Sequence, residues 1–254
     1  MEIRRVSAYR AVADAIRVDI EAGVYPRGSE LPPQEELASR YRVNQATVSR
    51  ALRVLNACGL TINRRGLRSI VMPIPPLVRD ASARYRRAAR EQNGAGGAYD
   101  AQIKALGLEP RVVLEVRRVV PPARVAQILG IRADDESAIV RSRVMWAADT
   151  ITQLADSYVS VELFGGSVLE HVDEGVGGMI SRMAELGHAQ AYVTEERTGR
   201  PPTPEEMTAL QISEDQHVFV IEHVGWTAQD RAVEVTVHTM PQGLWIERTR
   251  FDID

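Results

Sequence analysis

Gln45, Ala46, Ser49, Arg50 and Arg53 share one side of the stretch 44–59, and Val48, Ala51, Leu52 and Leu55 share the other. Apolar spacing of i, i+3, i+4 and i+7 predicts a helix, with Asn44 able to cap its start and Gly59 its end. The polar side then offers short polar groups, one methyl and two guanidinium forks near a helix N-terminus. That is the chemistry needed to reach base edges in a major groove while backbone N–H groups face phosphate. An isolated amphipathic helix more often closes a core, so the flanking elements must carry part of the argument.

Upstream, residues 33–41 predict a second short helix with Leu37, Ala38 and Tyr41 on one side, and 42–44 form a tight connection. Helix, three-residue turn and second helix is the helix-turn-helix arrangement. Downstream, residues 60–63 and 69–71 alternate as two short strands around a tip holding Arg64, Arg65, Gly66 and Arg68, with the glycine free to take positive φ. Such a hairpin is a wing, and a winged helix binds duplex DNA. A first helix over 7–22, with Tyr9, Val12, Ala13, Ile16 and Ile20 on one stripe, would pack behind the motif. Arg4, Arg5 and Arg10 either touch phosphate or form a solvated end.

Charge divides along the chain. Residues 1–90 hold 17 Arg against 8 Asp plus Glu, about +9, which leaves 14 basic and 26 acidic groups, about −12, for the rest; the total is −3. One end is suited to a polyanion. Length (254 residues) allows two domains, and 44% hydrophobic with 26% charged residues is a soluble globular profile. No targeting signal and no run of about 18 apolar residues is visible, so a cytoplasmic protein without a membrane partner is expected. The lone Cys58 excludes an internal disulfide and is expected as a small core residue.

The front of the chain resembles the GntR-type winged-helix regulators. Tyr9, Ile16, the run 23–32 (Gly-Val-Tyr-Pro-Arg-Gly-Ser-Glu-Leu-Pro), Glu36-Leu37-Ala38, Val43, Thr47-Val48, Ala51-Leu52, Leu55 and Gly59-Leu60 follow that pattern in order. With the helix face and the wing tip already described, DNA contacts are expected at Gln45, Ala46, Thr47, Ser49, Arg50, Arg53, Arg64, Arg65, Gly66 and Arg68. Thr47 and Gly66 match the family's contact positions, whereas Glu35, Gln45 and Ser49 stand where the family places arginine. Arg50, Arg53 and the wing arginines must then supply the missing charge, and the operator cannot be borrowed from relatives.

Residues 72–98 read as an interdomain linker: Pro73, Pro75 and Pro76 break regular structure, an Arg-rich stretch spans 84–90, and Gly94, Gly96 and Gly97 follow. Beyond it, helices are expected at 100–106, 123–129, 179–186 and 203–210, the last opened by a capping box at Thr203 with Pro204 in its first turn. Strands are expected at 111–120, 138–147, 150–161, 192–198, 217–227, 232–239 and 244–251. Neighbouring strands with inserted helices give an α+β domain around an antiparallel sheet.

This half resembles the UTRA effector domain of the HutC branch of the same family, a fold shared with chorismate lyase. The resemblance rests on Ala126 with Leu129, Arg141 with Arg143, the strand to Ser160, Gly178 with Leu186-Gly187, Arg200, Thr203, Glu205-Glu206 and Leu210, and Val233-Glu234-Val235. The whole chain therefore reads as a winged-helix domain (1–71), a linker (72–98) and a UTRA-like ligand-binding and dimerisation domain (99–254). By resemblance, Tyr99, Asp100, Arg141, Arg143 and Glu234 would surround a small polar effector. Alternate residues of a strand share a face, so two guanidinium groups and a carboxylate can converge there; a solvated face with cross-strand ion pairs is the plainer reading. Asp100 stands where sugar-phosphate-binding relatives have a small hydroxyl residue, and its carboxylate would repel phosphate.

Enzyme readings find little support. His171, His188, His217, His223 and His238 lack metal-ligand spacing, and residues 175–178 are Gly-rich without the strand that a phosphate loop follows. The expectation is a DNA-binding transcription regulator, not an enzyme, with no cofactor or metal. It would be a repressor whose homodimer holds a two-fold-related double-stranded operator until a small molecule releases it. A DNA-binding module without ligand control and a chorismate-lyase-like enzyme are the alternatives.

Overall fold

The computed structural model describes residues 7–63, 68–81, 98–173 and 178–251. The chain divides into two compact units. One comprises Met1–Leu77, Arg200–Val218 and Pro241–Trp245; the other comprises Val78–Gly199, Phe219–Met240 and Ile246–Asp254.

In the first unit, α1 (Ala8–Glu21), α2 (Gln34–Tyr41) and α3 (Gln45–Ala57) close on a core that includes Ile16, Leu31, Leu37, Val48, Leu52 and Leu55. The turn between α2 and α3 is made by Arg42, which takes a left-handed φ of 54° and lets the Val43 N–H return to the Ala38 carbonyl at 3.0 Å. Asn44 then caps α3, its Oδ1 accepting from the Thr47 N–H at 2.8 Å and from the Thr47 hydroxyl at 2.9 Å. Strands β1 (Thr61–Ile62) and β2 (Ile70–Val71) pair antiparallel as the base of the wing.

The helix α8 (Pro204–Leu210) belongs to this unit and carries the full capping box between Thr203 and Glu206. Behind α3, the buried Asn56 donates to the Ser213 hydroxyl at 3.1 Å, and the backbones of Gly59 and Gly243 meet. A Cβ at Gly59 would lie 2.4 Å from the Gly243 carbonyl oxygen, so a side chain is excluded there on steric grounds as well as by the φ of +71°. Cys58, expected in the core, is exposed: it continues the spacing of Ala51 and Leu55 but stands at the C-cap, past the last helical residue Ala57.

The second unit holds a six-stranded sheet in the order β4-β5-β6-β9-β8-β7. Its strands are β4 (Pro110–Val119), β5 (Ala138–Ala147), β6 (Thr150–Ser160), β7 (Tyr192–Arg200), β8 (Val218–Trp226) and β9 (Ala232–Pro241). β4, β5, β6 and β9 pair antiparallel, in a register that opposes Arg141 to Ser157, Arg143 to Ala155 and Ser157 to Thr236. Helix α4 (Ala98–Ala105) precedes β4. Helix α5 (Ala123–Leu129) covers one face through Val125, Leu129, Val224 and Val235; α6 (Val161–Phe164) and α7 (Gly178–Glu185) cover the other through Phe164, Met183, Ile139 and Val159.

Two features depart from the sequence expectation. The expected linker is ordered at its start, where Met72 and Ile74 are buried and a strand, β3 (Leu77–Asp80), buries Leu77 and Arg79, while residues 82–97, including Arg84, Arg86, Arg87 and Arg90, fall outside the described residues. The last strand, β10 (Trp245–Arg248), leaves the main sheet and pairs with β3.

Candidate functional site

Gln45, Ala46, Arg50 and Arg53 stand exposed along α3, with Thr47 and Ser49 half-buried beside them. The Arg50 guanidinium lies 4.5 Å from the centre of the Tyr9 ring, a cation–π contact that limits where this long side chain points. Arg10, chiefly by a hydrogen bond, then Ser7 and the Arg10 charge, and more weakly Arg50, hold the Tyr9 phenol below its ordinary pKa. Arg68 is exposed and 3.1 Å from Glu30, a surface pair of little energetic weight. Arg64, Arg65 and Gly66 lie outside the described residues.

On the sheet, strand alternation brings Arg143, Ser157, Thr236 and Glu234 to one face. Arg143 donates to the Ser157 Oγ; Ser157 and Thr236 hydroxyls are 2.5 Å apart; the Thr236 hydroxyl donates to Glu234 Oε1 at 2.7 Å. Each hydroxyl has one proton, and that of Thr236 is committed to the carboxylate, so Ser157 must donate to Thr236. The result is a directed series from guanidinium to carboxylate through two buried hydroxyls, and such aligned bonds strengthen one another in a dry interior.

Glu234 continues this network. Its Oε2 accepts from Gln190 Nε2 at 2.7 Å, and His223 Nε2 lies 4.0 Å away. The other ring nitrogen of His223 is 3.6 Å from Glu195, which with Glu247 surrounds the buried Arg79.

Arg141 and Arg143 share a face yet have different surroundings. Arg141 is 1% exposed and donates to the carbonyls of Leu169 at 2.9 Å, His171 at 2.5 Å and Val172 at 3.3 Å. It fixes that segment against the sheet. Tyr99 is buried with its hydroxyl 2.6 Å from the Thr152 Oγ1, and Asp100 is 3.7 Å from Lys104 on α4. The Asp100 carboxylate therefore sits beside a cation of its own helix.

Sequence reasoning missed Ser157, Thr236, Gln190, His223 and Arg79. Period-two alternation from Glu234 points to Thr236, and the strand pairing then adds Ser157. Nothing in the local pattern of a loop marks Gln190. Among the described residues no group of three or more His, Cys, Asp and Glu side chains is placed to hold a metal, and no helix is long and apolar enough to cross a membrane.

Residues 105–242 match the family described as UTRA domain, and residues 8–71 match that described as Bacterial regulatory proteins, gntR family. The chain is a GntR-family regulator of the UTRA type. Similar full-length proteins include the HTH-type transcriptional regulator SCO4628 of Streptomyces coelicolor, 27% identical over 93% of this chain and 90% of that one. The HTH-type transcriptional regulator GgaR of Escherichia coli is 22% identical over 94% and 88%. PhnF from Mycobacterium smegmatis shares the fold, with a TM-score of 0.58 and 19% identity over 97% of this chain and 100% of that one. This GntR regulator is accordingly a DNA-binding transcription regulator with an effector-binding domain, and not an enzyme.

Proposed function

We propose that this regulator is a cytoplasmic repressor whose homodimer binds a two-fold-related operator and leaves it when a small molecule binds the UTRA domain. In this reading residues 1–71 form the DNA-binding domain, 72–98 connect it and 99–254 bind effector and partner copy. Gln45, Ala46, Thr47, Ser49, Arg50 and Arg53 of α3 face the major groove, and Arg64, Arg65, Gly66 and Arg68 follow the wing. Two such modules would sit about one helical turn, roughly 34 Å, apart. Neutralising about 6 to 10 phosphates would lower affinity about 10³ to 10⁵-fold between about 50 and about 200 mM salt.

The observation that carries the effector reading is the series from Arg143 through Ser157 and Thr236 to the buried Glu234. Covered faces of sheets are filled with apolar side chains unless polar groups have a task, since a buried charge needs dedicated partners. Arg143 and Glu234 would contact the effector directly. Tyr99, Asp100 and Arg141 would shape its surroundings, Arg141 by holding the segment at Leu169, His171 and Val172. A coupling of about 1 to 3 kcal/mol would change operator affinity about 5 to 150-fold.

Footprinting the DNA upstream of the protein's own gene, with and without candidate metabolites, tests the proposal. Salt-sensitive protection of a two-fold site that a metabolite lifts supports it. Protection that no metabolite alters, together with unchanged behaviour of Glu234→Gln, would remove effector control.

A further inference from the structure

Between α7 and β7 the chain crosses β8 on a short strap. Gly187, at φ +87°, ends α7; the His188 ring meets Phe164 edge-on with centroids 5.1 Å apart; and the Ala191 N–H donates to the Trp226 carbonyl at 2.7 Å. The strap is held on both sides of Gln190, and the side chain of Gln190 turns inward.

Its destination is a seat that only a missing side chain leaves open. A Cβ at the buried Gly225 would lie 2.2 Å from Gln190 Nε2 and 2.4 Å from its Cδ. The Gln190 carboxamide fills the volume that any other residue at 225 would occupy, and there its N–H donates to Glu234 Oε2 at 2.7 Å. The other carboxylate oxygen already accepts from Thr236.

We propose that Gln190 is the built-in occupant of a donor-recognising subsite at Gly225 and Glu234, and that its carboxamide holds the place of an amide, amine or hydroxyl group of the effector. The proposal rests on the reading of Glu234 as an effector contact. Glu234 is buried, so its Oε2 needs a donor in every state of the protein. Gln190 meets that need from a half-buried loop and can leave only when another donor arrives. Exchange of one donor for another changes little in the hydrogen-bond balance. Discrimination lies against ligands that bring an acceptor instead, because acceptor and carboxylate would then face each other; sites built around a required donor reject analogues lacking it by about 10⁴-fold.

The test uses the full chain carrying Gln190→Ala, with acetamide, the excised end of the glutamine side chain, as probe. Acetate, of the same shape but without the N–H, is the control. Acetamide should raise the thermal midpoint of the variant and leave the wild type unmoved; at ten times its dissociation constant the folded-to-unfolded ratio rises about elevenfold. Acetate should move neither. Equal effects of acetamide on both proteins, no effect on either, or an equal effect of acetate would overturn the subsite.

Gly225→Ala gives an independent check. The three atoms nearest its new Cβ are the far end of the flexible Gln190 side chain, so the protein should fold, yet the filled seat should refuse acetamide; a response there counts against the proposal. If Gln190→Ala loses its cooperative transition, Gln190→Ser, too short to reach Glu234, carries the same titration. Retention of the upstream DNA fragment separates the two readings. Release of the Gln190→Ala protein by acetamide supports both, whereas acetamide binding without any change in retention keeps the subsite and removes Glu234 from effector control.

Discussion

Thr236→Val removes one oxygen from the sheet face and keeps the side-chain shape, so its effect isolates the hydroxyl series. Thr236 is 2% exposed, Ser157 0% and Glu234 5%, and water cannot replace what is lost without entering the interior. The substitution deletes a bond to a carboxylate, worth about 1.5 to 3 kcal/mol, and one between hydroxyls, worth about 1 kcal/mol. It also leaves the Ser157 proton without its acceptor. The expected loss is about 2 to 4 kcal/mol, in the transition that reports the sheet-containing unit. Urea denaturation followed by tryptophan fluorescence measures it, with an unchanged slope showing that the same surface is exposed. Ser157→Ala should cost less in the Thr236→Val background than alone, with a coupling of about 0.5 to 3 kcal/mol, because the two hydroxyls act as one series. A loss under about 0.5 kcal/mol, or strict additivity of the two substitutions, would refute the reasoning.

Arg50→Ala should cost about 1 to 3 kcal/mol of operator binding and relax preference at one base position; equal weakening on every DNA sequence would reduce Arg50 to a phosphate contact. Arg200, by hydrogen bonds to both carboxylate oxygens, holds the Glu206 carboxyl below the ordinary value against the opposing effect of burial, with a smaller contribution from the Thr203 N–H. A depressed folded pKa adds stability above the unfolded value near 4.5 that is lost as pH falls through the folded one. The stability advantage of wild type over Glu206→Gln should therefore shrink below about pH 4.5 in thermal melts; a constant difference would sink the assignment. Ala148, in the turn between β5 and β6, has φ 49°, so Ala148→Gly should stabilise by about 0.5 to 1 kcal/mol, and a lowered midpoint would refute the strain at that turn.

Much of this regulator is legible in one dimension because its decisive features are local and periodic. The stripe of Val48, Leu52 and Leu55 places Gln45, Arg50 and Arg53 outward whatever the rest of the chain does, and Asn44 starts the helix at its predicted position. Alternation likewise puts Arg143 and Glu234 on the covered side of their strands. What period and propensity cannot carry is the meeting of residues distant in sequence. Arg79 reads as linker, yet pairing of β3 with β10 buries it against Glu195 and Glu247. Arg141 and Arg143 have the same sequence signature, and only the returning segment at Leu169, His171 and Val172 turns the first into a structural clamp. Gln190 lies 35 residues before Gly225 and 44 before Glu234. Its seat exists only because strand order brings a glycine, a carboxylate and a loop to one point, and closing such loops is a property of the whole chain rather than of any segment.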